Sequence, residues 1–170
     1  GDGILDFIIY NSNGDTETVL SKGSPSDLLL CVDNGWGAKI DFEYTHSTYY
    51  KDKDEQNNWT MPFSIPVVSK IVVSDGMGNT YSNEYAYSKG YYDIPLKEFR
   101  GFGYASCRNH QGNLTETYFL QDEIYKGRIA KQKVWDGEGR ILSELENTWS
   151  NKLYANPNSY IVSLMETNSK

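Results

Sequence analysis

Along much of this chain, apolar and polar residues alternate at the two-residue period of a half-buried strand. Ala38, Ile40, Phe42 and Tyr44 alternate with Lys39, Asp41 and Glu43, which predicts one buried face and one wet face. This strand follows Asn34-Gly35, the strongest short-range hairpin signal present. Before it, the continuous apolar run Leu28 to Val32 predicts a well-buried strand. Upstream, strand Phe7–Tyr10, turn Asn11-Ser12-Asn13-Gly14 and strand Thr16–Leu20 form a hairpin, and Ser21–Ser26 is a loop by composition. Lys51 to Thr60 is the most polar run and predicts a solvated loop. Pro62-Phe63-Ser64-Ile65-Pro66 is expected to be extended, because the residue before each proline is pushed out of the helical region. Only Leu120 to Lys133 offers a case for a helix, and Gly127 within it favours a loop followed by a strand. Ser159 to Leu164 predicts a last strand with a polar, frayed end after it.

Three turns share one form. Asp75 to Gly78, Asn109 to Gly112, and Asp136 to Gly139 with Arg140 each sit between two strand patterns. An Asp or Asn opens the turn with a side-chain-to-backbone hydrogen bond, and the glycine supplies the left-handed position that returns the chain. Asn11 to Gly14 is a degenerate fourth copy. The copies lie 34 and 27 residues apart, counted at Gly78, Gly112 and Gly139. So uneven a period fits stacked hairpins with insertions better than a regular solenoid. The fold class expected is all-β, with antiparallel hairpins stacked into a curved sheet or shell segment and no long helix.

Tyr91 to Ala105 organises the rest. Gly101 and Gly103 are placed where a strand bulges or another backbone approaches. Phe99, Phe102 and Tyr104 bring apolar area that must be covered, and Arg100 brings a planar fork of donors able to stack on those rings or to pair with Glu98 or Asp93. The expectation is a sharp, aromatic-clad corner between two β-hairpins.

Composition narrows the function. A chain of 170 residues fits one domain, or one with a fragment of another. The net charge of −7 argues against nucleic acid as a partner. No apolar run approaches the ~20 residues of a membrane helix, and no signal peptide opens the chain, so it reads as a soluble piece of something larger. Cys31 and Cys107 could pair only if the fold brought their Cα atoms within about 7 Å. Two free thiols in separate strands is the simpler expectation.

Little here resembles catalytic machinery. His46 and His110 are the only histidines, one at a strand end and one inside a turn, and no nucleophile elbow accompanies them. Glu116, Glu144 and Glu146 fall at alternating strand positions, as on a solvated sheet face. Phosphate-binding, dinucleotide and metalloprotease fingerprints are absent. The chain is expected not to be an enzyme and to need no cofactor.

Glu98-Phe99-Arg100-Gly101-Phe102-Gly103, preceded by Gly90-Tyr91-Tyr92-Asp93, resembles the signature of the middle region of Tc-toxin B components and their SpvB-like relatives, within the RHS/YD-repeat group of bacterial secreted toxins. Asp27-Leu28-Leu29 with Asn34-Gly35-Trp36-Gly37, Met61-Pro62-Phe63 with Pro66-Val67, and Thr115 to Phe119 leading to Gly127-Arg128 extend the resemblance over residues 1–150. Trp135-Asp136-x-x-Gly139-Arg140-Ile141 is close to the YD-repeat pattern, with Trp in place of Tyr. Gly1 to Phe7 looks like the tail of an integrin-like propeller repeat. Asp2 and Asp6 alone cannot supply the six to eight oxygens of a calcium site, so calcium would be expected only in a longer parent protein.

The resemblance implies three regions: a propeller remnant with the first strand (1–10), a hairpin domain (11–150), and a last strand with a frayed tail (151–170). It implies a secreted or surface-located bacterial protein. There the segment would form part of a β-shell that, with other toxin segments and a C-component-like partner, encloses an effector. Asp93, Glu98, Phe99, Arg100, Gly101, Phe102 and Gly103 would brace that wall. The alternative is a carbohydrate-binding module that uses exposed Tyr and Trp, such as Trp36 and Trp59, to stack on glycans at a cell surface.

Overall fold

A computed structural model describes residues 7–19, 27–50, 60–153 and 160–169. Asp2 and Asp6, the Ser21–Ser26 loop and most of the polar run with Trp59 lie outside these residues. The described chain is all-β. A two-stranded hairpin, β1 (Phe7–Tyr10) with β2 (Thr16–Val19), stands apart from one nine-stranded sheet. The sheet's strands are β3 (Cys31–Asp33), β4 (Lys39–His46), β5 (Pro66–Ser74), β6 (Thr80–Asp93), β7 (Glu98–Asn109), β8 (Leu114–Phe119), β9 (Ile129–Trp135), β10 (Ile141–Leu153) and β11 (Tyr160–Ser169). Their order in space is their order in sequence, and every neighbouring pair is antiparallel. This is a meander one layer thick, about 38 Å across its eight strand spacings.

Residues directly opposite each other in the ladder share a face, so the register sorts the side chains. Val32, Ile40 and Val73 continue through Tyr81 on one face, with Phe42 and Ile71 beside them. Farther along, Tyr85, Cys107, Thr115 and Val134 lie on the same face. The other face carries charge in cross-strand rows. Glu43, Lys70, Glu84 and Arg108 alternate in sign across β4 to β7, and Glu116, Lys133 and Glu144 across β8 to β10. Opposite charges directly across a ladder each add a few tenths of a kcal/mol, up to about 1.

Among the described residues, no second layer covers either face. Val67 is the one buried apolar side chain among them, Ser47 the one buried polar side chain, and Gly90 and Gly103 are buried glycines. This corrects one expectation. Leu29 and Leu30 lie before β3 and are 54% and 63% exposed, because an apolar run at a sheet edge has nothing to pack against. The all-β class is as expected, and the hairpins join edge to edge in one sheet.

Other differences are local. Ser47–Tyr50 forms one turn of 3₁₀ helix that the alternation did not announce. The last strand reaches Ser169 with Leu145–Thr148 paired against its polar end, which was expected to fray. The regions drawn at residues 10 and 150 divide paired structure: β1 pairs with β2, and β10 crosses 150. Residues 120–128 form a loop leading into β9, the alternative that Gly127 favoured over a helix. Cys31 and Cys107 are free thiols on β3 and β7, four strand spacings or about 19 Å apart.

Candidate functional site

The densest interactions gather where β6 turns into β7. Residues 91–105 do not form a corner between two hairpins. They are the turn and the first half of a single one, because Asp93 pairs with Glu98 and the ladder then runs to Asn109. Asp93 Oδ1 accepts the Leu96 N–H at 3.0 Å, and Lys97 closes the turn with a φ of 52°.

Arg100 is the hub, its side chain only 7% exposed. Its Nη2 lies 2.7 Å from Asp93 Oδ2, and its Nη1 donates to the Gln121 carbonyl at 3.1 Å. The Nε sits 3.7 Å from Glu98 Oε2, close enough for an ion pair but too far for a hydrogen bond, which it otherwise lacks. Glu98 also accepts from Lys126 at 2.6 and 2.7 Å. One guanidinium fork therefore ties the β6–β7 turn to the 120–128 loop, a task a lysine's single ammonium point charge is ill suited to.

The glycines differ in purpose. An added Cβ on Gly103 would meet Gln121 Oε1 at 2.7 Å, because the Gln121 amide lies over it and donates to the Lys89 and Gly101 carbonyls, each at 2.8 Å. Gly101 has open space around it and is needed for its φ of +79°, beside the register shift between Gly90 and Tyr92. Phe99 and Phe102 belong to a chain of ring contacts that runs Tyr92, Phe63, Phe99, Phe102, Tyr87, Tyr50, Tyr49, with centroids 5.1 to 6.1 Å apart. It fastens Ser47–Tyr50 and residues 60–65 to this hairpin, helped by Ser47 N–H donating to the Ile65 carbonyl and Ile65 N–H to Ser47 Oγ. The expected signature residues are thus brought together. Gln121, Lys126 and Tyr87, which complete the cluster, were not singled out from the sequence.

The repeat turns all line one end of the sheet. Asp75 Oδ1 accepts the N–H groups of Met77 and Asn79, Asn109 Oδ1 those of Gln111 and Asn113, and Asp136 Oδ1 those of Glu138 and Arg140, at 2.8 to 3.1 Å. Gly78, Gly112 and Gly139 take φ of 99°, 86° and 83°. Arg140 Nε also donates to Asp136 Oδ2 at 2.6 Å. Asn34 is a further copy: its Oδ1 accepts from Trp36 and Ala38, and Gly37 has a φ of 98°. Asn11 to Asp15 repeats the backbone bonds in the separate hairpin. Adjacent turns touch, since an added Cβ on Gly76 would lie 2.7 Å from Gly37 backbone atoms.

Glu116 is not the solvated carboxylate its alternation implied. It accepts from Tyr104 Oη at 2.8 Å and Trp135 Nε1 at 2.7 Å, with Lys133 over the Trp135 ring at 5.6 Å. Burial, more than this carboxylate, pushes the Tyr104 hydroxyl above the usual phenol range. Lys131 pairs with both Glu144 and Glu146, and its hydrogen bond holds Glu144 below the usual carboxylate range. His46 is half-buried with Nδ1 unpartnered, and His110 lies edge-on to Tyr81 at 5.1 Å. No group of three or more His, Cys, Asp or Glu among the described residues is arranged to hold a metal. Trp36 is 93% exposed at a turn tip and has no ring partner among the described residues.

The fold recurs in known proteins. The chain's fold is similar to that of a chain in the Photorhabdus luminescens Tc holotoxin pore, at a TM-score of 0.71 and 15% identity, covering 84% of this chain and 10% of that one. It is similar to a chain in the crystal structure of TcdB2-TccC3-TEV, at a TM-score of 0.71 and 15% identity, covering 96% and 12%. A TcdB2-TccC3 structure without its hypervariable C-terminal region gives a TM-score of 0.63 at 13% identity, covering 81% and 10%. The chain spans about a tenth of the length of these chains. No curated protein sequence matches it. The family model of the insecticide toxin TcdB middle/N-terminal region matches residues 1–132. A single-layer meander braced at Arg100, matched by that model over most of its length, belongs to the family of the insecticide toxin TcdB middle/N-terminal region.

Proposed function

We propose that this segment is a wall element of a secreted, RHS-type toxin shell, related to SpvB-like proteins, that helps to enclose or deliver an effector and performs no catalysis itself. One observation carries the reading: nine strands form a sheet one layer thick with almost nothing fully buried on either side. A free-standing β-domain covers its apolar face with a second layer. A wall instead has an inside, an outside and two edges to continue. The Arg100 cluster and the turn rim stiffen that wall. Its partners are other segments of the parent toxin and a C-component-like chain.

The test labels the two faces in the assembled parent toxin, in a background lacking Cys31 and Cys107. Ser143→Cys reports the apolar face and Arg108→Cys the charged one, both from exposed positions. A soluble maleimide is expected to modify one in the assembly and spare the other until the shell is opened. Equal modification of both would overturn the enclosing role. His46→Ala and His110→Ala are expected to leave toxicity of the assembled toxin unchanged, and a loss of toxicity with intact assembly would overturn the absence of catalysis.

A further inference from the structure

The ladder between β5 and β6 is shorter than either strand. It runs from Ser74 opposite Thr80 to Lys70 opposite Glu84 and stops, although β5 goes on to Pro66 against β4 and β6 goes on to Asp93 against β7. Past that point the strands part, and two tyrosines bridge the fork. Tyr87 Oη donates to the Val68 carbonyl on β5 and Tyr50 Oη to the Tyr85 carbonyl on β6, each at 3.0 Å. At the mouth of the fork is an open cleft of about 570 Å³ whose lining includes Tyr49, Tyr50, Glu43, Lys70 and Glu84.

Two features set the chemistry this cleft suits. The first is ring geometry. Tyr49 stands at 89° to Tyr50, with centroids 5.4 Å apart, and Tyr50 at 75° to Tyr87. Perpendicular rings make a corner, which surrounds a compact cation with π-density but offers a sugar no flat platform. The second is charge. Glu43, Lys70 and Glu84 lie in one cross-strand row that Arg108 continues, but Arg108 turns its Nη1 to the Gly112 carbonyl, so the residues lining the cleft hold two carboxylates against one ammonium. Lys70 Nζ stays 3.7 Å from Glu84, so the carboxylate keeps acceptor capacity.

We propose that the β5–β6 fork binds an organic cation, an alkylammonium or guanidinium group, seated against the Tyr49–Tyr50 corner and neutralised by Glu43 and Glu84. The group arrives on a free amine or on a lysine or arginine side chain of a peptide. The site is independent of the shell reading, since enclosure uses the two faces and not the fork.

Nuclear magnetic resonance titrations of the 170-residue chain test it, with tetramethylammonium, the N-acetyl methylamides of lysine and arginine, and methyl glucoside as a neutral comparison. The cations are expected to give saturable amide shifts at 43–50 and 84–86, and the glucoside none. Tyr49→Ala removes a ring that is 73% exposed and is expected to weaken binding at least about fivefold. The Glu43→Gln, Glu84→Gln double variant is expected to do the same and to flatten the salt dependence. Equal affinity for tetramethylammonium and the amino-acid amides supports a free amine as ligand, and tighter binding of the amides supports a peptide side chain. Shifts that do not saturate, a glucoside that binds as well, or an unaffected Tyr49→Ala variant would each overturn the proposal.

Discussion

Arg100 joins two acids and a distant carbonyl from a side chain that is 7% exposed, so its replacement strands Asp93, itself 14% exposed, without its cation. Breaking such a buried pair typically costs about 3 kcal/mol. Arg100→Ala is expected to lower stability by about that much in urea unfolding. Arg100→Lys keeps the charge but loses the bond to Gln121, and should fall between the two. Tyr87 makes a second residue-scale prediction. Burial pushes its hydroxyl up to about 12, so the folded state holds that proton more tightly than the unfolded chain does. Its stabilising contribution is complete below pH 10 and is lost as pH rises from 10 through 12. Tyr50, Tyr85 and Tyr104 are also raised, so phenolate absorbance is expected to show a late-titrating group of tyrosines, and Tyr87→Phe to reduce the latest part of it. Losing the bond to Val68 should cost about 1 kcal/mol.

At the scale of the element, the rim turns differ in what opens them. Asp75 and Asp136 are held below the usual carboxylate range, Asp75 chiefly by the Asn79 side chain and Asp136 chiefly by the Arg140 backbone N–H. Their contribution is present above the ordinary carboxylate value and is lost as pH falls through the depressed one. Turns opened by Asn34 and Asn109 have no such group. The Asp75→Asn, Asp136→Asn double variant is therefore expected to unfold at a lower urea concentration than the parent near neutrality, and to lose less stability than the parent as pH falls. Gly76→Ala combines a φ of +75° with a clash against Gly37 and should cost more than the roughly 1 kcal/mol of backbone strain at Gly14, where space is open. The turn form was legible because an Asp or Asn and a glycine three residues on fix it locally. Asn34-Gly35 was legible as a hairpin signal and does join β3 to β4, but its membership of the repeat, with Gly37 at the repeat spacing, was not recognised. Leu28 to Leu30 announced apolarity, and an apolar run cannot say whether another layer exists to cover it. Gln121 and Lys126 were invisible at their positions, since they reach the signature only after two strands and a loop have been laid down between.

For the whole molecule, edges matter more than core. β11 presents ten residues to one side without a proline or lysine before its end, and Ile161, Leu164 and Met165 are 49 to 66% exposed. Such an edge pairs with other strands. Light scattering over a range of concentrations is expected to show this chain associating, and proline at an outward-facing amide of β11 to reduce it; a monomer at all concentrations would mean that the sheet closes its own ends. Because spatial order is sequence order throughout the sheet, each strand's partner is the one just synthesised. Apart from the 19 residues between β4 and β5, no long connection must close before pairing begins. Such a wall can grow as it leaves the ribosome, strand upon strand, and an inserted hairpin lengthens it without re-pairing anything already in place.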